Sequence, residues 1–136
     1  MDDQTAISFN YDVHTAMQLE YAEIVSERTI NVNVNNKYTL YRIHIKKRPN
    51  EESRPDEFAE RRFSDFEMLH RRLKEEKRGL ILPALPAKNM VSLITMGSDE
   101  KRKARTKALE LYLNKLMTNQ QVWDSAFLGH FLSDVR

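Results

Sequence analysis

The 136-residue sequence predicts an α+β fold: a three-stranded antiparallel β-meander packed against a helical subdomain of three or more helices, with a proline-rich connecting loop. Three observations carry this. Alternating β-branched and aromatic residues occupy the first half, a helix-start signature follows at Ser64, and a segment with two prolines separates the helical stretches of the second half.

Residues 1–15 are polar and aperiodic and read as a flexible N-terminal arm before a domain spanning 16–134. Alternation begins at Met17, with Leu19 and Tyr21 sharing its face. It resumes at Ile30, Val32 and Val34, and again at Thr39, Tyr41, Ile43 and Ile45. Asn35-Asn36-Lys37 marks the turn between the last two runs. Lys46 to Asp56 is charged, carries Pro49 and Pro55, and leads as a loop into a short strand, Glu57 to Phe63.

Ser64-Asp65-Phe66-Glu67 has the form of a capping box, and Phe66, Leu69 and Leu73 follow as an i, i+3, i+7 apolar stripe. Lys77, Arg78 and Gly79 supply a basic last turn and a left-handed stop. Leu80 to Lys88 cannot be a helix interior, because Pro83 and Pro86 each lack an N–H and fix φ. After an apolar loop, Asn89 to Gly97, a second helix is expected from Ser98 to about Thr118, with Leu109, Tyr112 and Leu116 facing inward. A last helix, about Gln121 to Leu132, offers Trp123, Phe127, Leu128, Phe131 and Leu132 to the core.

Composition narrows the function. Lys and Arg total 22 against 20 Asp and Glu, so the net charge of +2 is too small for nucleic-acid binding by bulk electrostatics. A nucleic-acid role would also need stacking aromatics on a basic sheet, whereas the alternation places its aromatics toward the core. With no cysteine, disulfides, thiolate metal sites and cysteine nucleophiles are excluded. His14, His44, His70 and His130 are scattered, and the three glycines form no phosphate loop, so neither a catalytic residue, a metal site nor a cofactor is expected. No apolar run reaches the roughly 20 residues of a spanning helix, and membrane contact would be peripheral.

Three features place cations where such a fold could gather them. At Arg61-Arg62-Phe63, guanidinium groups that grip phosphate bidentately adjoin a flat aromatic, although an ideal strand sends Arg62 and Phe63 to opposite faces. The simpler reading is a charged strand end with Phe63 in the core. Lys88 stands two residues beyond Pro86 on a stiff segment. That segment, Pro83 to Lys88, also fits a ligand for SH3-type grooves, but lacks the disordered proline-rich surroundings of such ligands. Arg105 continues the stripe of 109, 112 and 116 one turn backward, and either snorkels outward or lines a pocket. Lys101, Arg102, Lys103 and Lys107 read as a solvated face attracted to anionic lipid.

Together these features resemble the phox-homology (PX) family. The likeness rests on Lys37-Tyr38-Thr39-Leu40-Tyr41, Arg61-Arg62-Phe63-Ser64-Asp65-Phe66, Leu82 to Lys88, and Leu109-Glu110-Leu111-Tyr112-Leu113 with Arg105 upstream, in matching order and spacing. Phenylalanine replaces the family's common tyrosine at Phe63, and the doubled first proline of many members is missing. The resemblance implies that Arg62 holds the 3-phosphate of a phosphoinositide, with Arg61 as a supporting cation. It places Phe63 under the inositol ring, Lys88 on the 1-phosphate and Arg105 on the 4- and 5-hydroxyls. It further implies phosphatidylinositol 3-phosphate as the lipid and a cytoplasmic, monomeric module, peripheral on endosomal membranes as in sorting nexins, with coat or sorting-complex proteins as further partners. Met90, Val91, Leu93, Ile94 and Met96 then read as a membrane-inserting loop, whose burial at about 25 cal/mol per Å² adds a few kcal/mol. The competing reading is a protein-interaction module using the proline segment or the N-terminal arm.

Overall fold

The computed structural model describes residues 20–47, 58–88 and 97–133. The elements run β1 (Glu20–Asn33), β2 (Asn36–Lys47), β3 (Phe58–Arg62), α1 (Phe63–Glu76), α2 (Ser98–Met117), a 3₁₀ turn (Gln120–Val122) and α3 (Ala126–Leu132). The strands form one antiparallel sheet in the order β1-β2-β3. Three strands followed by three helices match the expected class. The N-terminal arm at 1–15 and the apolar loop residues Met90, Val91, Leu93, Ile94 and Met96 lie outside the described residues.

The alternation identified the strands but misjudged which face β1 buries. Ala22 and Ile24 are the buried positions, while Tyr21, expected inward, has the opposite parity. Ala22 and Ile24 stand opposite Ile45 and Ile43. A register shift between Ile24 and Ser26 then moves Glu27 onto the core-facing side, opposite Tyr41. Val32 and Val34 are exposed, Val34 to 94%, because the β1-β2 hairpin projects beyond the end of β3. Its turn is Val34–Asn35 rather than Asn35-Asn36-Lys37; the Asn33 side chain accepts the Asn35 N–H at 3.0 Å and so sets the turn one residue earlier.

The start of α1 also differs from the expected capping box. Strand pairing runs to Arg62, which is itself the N-cap, and Asp65 accepts the Arg62 backbone N–H at 2.8 Å. Asp65 thus takes the third helical position, where a carboxylate can reach back to the cap, and exposed Ser64 lies within the first turn. The stripe of Phe66, Leu69 and Leu73 is buried as expected, and Gly79, at φ 88°, adopts the left-handed conformation just after the helix end.

A core of Ala22, Ile24, Tyr41, Ile43, Phe66, Leu69, Leu73, Leu109, Tyr112, Leu113, Leu116 and Phe131 joins sheet to helices. Phe66 is its hub, with edge-to-face contacts to Tyr41 at 6.2 Å and to Phe131 at 4.8 Å. The last predicted helix is broken in two. Asn119 caps the 3₁₀ turn by accepting the Gln121 N–H, and the chain becomes extended at Ser125 before α3 begins. Trp123 falls in this break and is 48% exposed instead of buried, its indole N–H donating to the Met117 carbonyl at 2.9 Å.

Candidate functional site

Helix α2 lies along the free edge of β1 and sets the position of Arg105. Four residues at intervals of four make the attachment. Arg102 pairs with Glu27 at 3.2 Å, and the Thr106 hydroxyl donates to the same carboxylate at 2.7 Å. Glu110 accepts the Ile24 N–H at 2.9 Å, while Asn114 accepts the Ala22 N–H at 2.7 Å and donates to the Ala22 carbonyl at 2.9 Å. One face of the helix therefore replaces the missing neighbour strand. Arg102 is exposed, as expected of a solvated face, and in addition pairs with Glu27 and with Asp99.

Arg105, adjacent to Thr106, is consequently drawn against the sheet. Its Nε is buried and has no hydrogen-bond partner. The guanidinium acts on the Tyr41 phenol through its charge and a side-chain hydrogen bond, partly opposing the burial that raises the Tyr41 pKa. Arg105 is thus half-buried beside Tyr41, with its Nε turned inward rather than into solvent.

Arg61 and Arg62 go to opposite faces, as strand alternation dictates. Arg61 reaches the end of α3, donating to the His130 carbonyl at 2.7 Å and the Ser133 carbonyl at 2.5 Å, with its guanidinium 5.8 Å from the Phe131 ring centroid. Arg62 turns to the outer face, where its guanidinium carbon sits 3.9 Å from the centroid of the Tyr38 ring. Among the described residues it has no carboxylate partner. Phe63, the first residue of α1, is half-buried and packs against the core.

Tyr38 and Tyr41 lie three residues apart on β2, and Leu40 between them faces Arg62 in register. Arg62 and Phe63 stand where β3 ends, with Arg62 on the outer face over Tyr38, whereas Arg105 lies on the inner side beside Tyr41; no contact joins Arg62 to Arg105 among the described residues. Lys88 is exposed at the end of a segment without helix or strand, whose Leu80, Leu82 and Leu85 pack against the core. No contact joins Lys88 to the other three among the described residues. Two grooves, one around Lys77, Gly79 and Asp124 and one between Glu23 and Asn114, include none of Arg62, Phe63, Lys88 and Arg105.

Sequence reasoning missed Tyr38 as the neighbour of Arg62. The signal was available, because parity places Tyr38 on the same face as Arg62 once β2 and β3 are put in register.

The fold defines a class: a small α+β domain of a three-stranded antiparallel meander followed by three helices. A model of the PX domain family matches residues 49–134, and the chain belongs to that family. Phosphoinositide binding is what membership of this family supports. Sorting nexin 1 of Arabidopsis thaliana is 33% identical over 97 residues, 70% of this chain and 23% of that protein. Sorting nexin 2A of the same plant is 35% identical over 98 residues, 71% of this chain and 17% of that protein. The chain thus spans less than a quarter of either relative. The X-ray structure of a designed CISK-PX domain shares the fold, with a TM-score of 0.63 at 22% identity, over 82% of this chain and 96% of that one.

Proposed function

We propose that this chain is a non-catalytic module that recognises phosphatidylinositol 3-phosphate and recruits the protein carrying it to endosomal membranes for cargo sorting. The observation that carries this reading is the pair Arg62 and Arg105. The Arg62 guanidinium rests on the Tyr38 ring, the Arg105 charge acts on Tyr41, and Arg105 Nε is a buried donor without a partner. A buried N–H without a partner costs about 1–3 kcal/mol, which a ligand oxygen would recover. Arg62 offers a planar fork to the 3-phosphate, and Arg105 offers donors to the 4- and 5-hydroxyls. Lys88 supplies a point charge for the 1-phosphate, and Phe63 an apolar surface under the ring.

The apolar loop Met90, Val91, Leu93, Ile94 and Met96 completes the proposal by entering the lipid beside the headgroup. No helix among the described residues is long and apolar enough to cross a membrane, and docking is peripheral in this reading. The domain binds as a monomer, with avidity from partner proteins such as a sorting coat strengthening recruitment.

The test is liposome co-sedimentation across singly and multiply phosphorylated phosphoinositides, with wild type, Arg62→Ala and Lys88→Ala. Selective binding to the 3-phosphate lipid, lost in both folded variants, is expected. Binding that follows total lipid charge alone would remove the specific site.

A further inference from the structure

We propose that Tyr38 is a positioning residue of this headgroup site, holding Arg62 so that the edge of its guanidinium stays open to a phosphate; the inference rests on the reading of Arg62 given above. Arg62 is the last residue of β3, and its nearest cross-strand partner, Leu40, offers no acceptor. Two residues along β2 on the same outward face, Tyr38 comes to 3.9 Å from the guanidinium carbon. All five N–H groups of a guanidinium lie in its plane. Stacking one face on an aromatic ring thus restricts the side chain without consuming a single donor. Phe63 does not fill this role, since it starts α1 and packs into the core.

A second pairing keeps the stack from being lost to a local ion pair. Glu60 precedes Arg62 by two residues and shares its face, making it the carboxylate most able to capture the guanidinium. Both of its oxygens instead accept from Arg28, at 2.7 and 3.0 Å, and its side chain is almost wholly buried. Arg62 is left resting on the aromatic ring, with its donors directed by Tyr38.

The experiment uses phosphatidylcholine and phosphatidylserine vesicles with and without phosphatidylinositol 3-phosphate. Tyr38→Leu should weaken headgroup-dependent binding about three- to tenfold, while Tyr38→Phe, which keeps the ring, should stay within about twofold. On an Arg62→Lys background, which keeps the charge but not the plane, Tyr38→Leu should add no more than about twofold. The Arg62 Nε–H proton resonance should move downfield in Tyr38→Leu as the ring current is lost. Wild-type affinity for Tyr38→Leu, or an equal loss on the Arg62→Lys background, would overturn the proposal. Wild-type binding by Arg62→Ala would overturn the headgroup site itself, and the positioning role with it. Loss in Arg62→Ala beside unchanged Tyr38→Leu would overturn the positioning role alone.

Discussion

Two adjacent arginines of one sequence motif have separate occupations, because a β-strand turns successive side chains to opposite sides of the sheet. Arg61 donates to carbonyls at the C-terminal end of α3, those of His130 in the last turn and Ser133 at the C-cap. Arg62 makes no such tertiary bond through its side chain among the described residues. Arg61→Ala should therefore cost about 1.5–3 kcal/mol, as expected for charge-assisted hydrogen bonds, and should speed amide exchange in Ala126–Leu132 first. Arg62→Ala should leave both stability and exchange within error of wild type. If the two variants exchange alike, the division of labour is wrong.

At the scale of elements, the attachment of α2 to β1 is polar along one row of the helix and apolar along another. Leu109, Tyr112, Leu113 and Leu116 enter the core, while Arg102, Thr106, Glu110 and Asn114 engage the strand edge. Asn114 is the part of this row that backbone chemistry requires most, since its amide answers both the N–H and the C=O of Ala22. Asn114→Ala should destabilise the domain by about 2 kcal/mol by urea denaturation, with greater self-association from the uncovered edge. An unchanged midpoint would show that water replaces the amide at no cost. The same attachment positions Arg105 beside Tyr41.

At the scale of the whole molecule, stability should depend on pH through His70. Its Nδ1 lies 2.9 Å from the hydroxyl of buried Tyr112, and burial, with a smaller contribution from the Lys74 charge, lowers its pKa. The native state then binds a proton less readily than the unfolded chain, whose histidines titrate near about 6.5. Stability is complete above that pH, declines as pH falls from there toward the lowered native value, and levels off below it. His70→Gln should flatten this part of the profile in denaturation series between pH 7.5 and 5, and an identical decline in both proteins would exclude His70 as its source.

The sequence by itself determined the fold class, the extent of α1 and α2 to within a residue or two, their buried stripes, and the chemical nature of the candidate site. These follow from local periodicity and from turn and cap residues, which act over a few positions. Only the tertiary structure decided that Ala22 and Ile24 form the inward face of β1, that Arg102 binds Glu27, that Trp123 stays half outside, and that Tyr38 lies under Arg62. The exposure of Trp123 follows from the break before α3; the others depend on strand register, on a register shift or on a helix docking against an edge. Such features bring together residues 24 to 92 positions apart, and their energies are settled only when the packed neighbours are present.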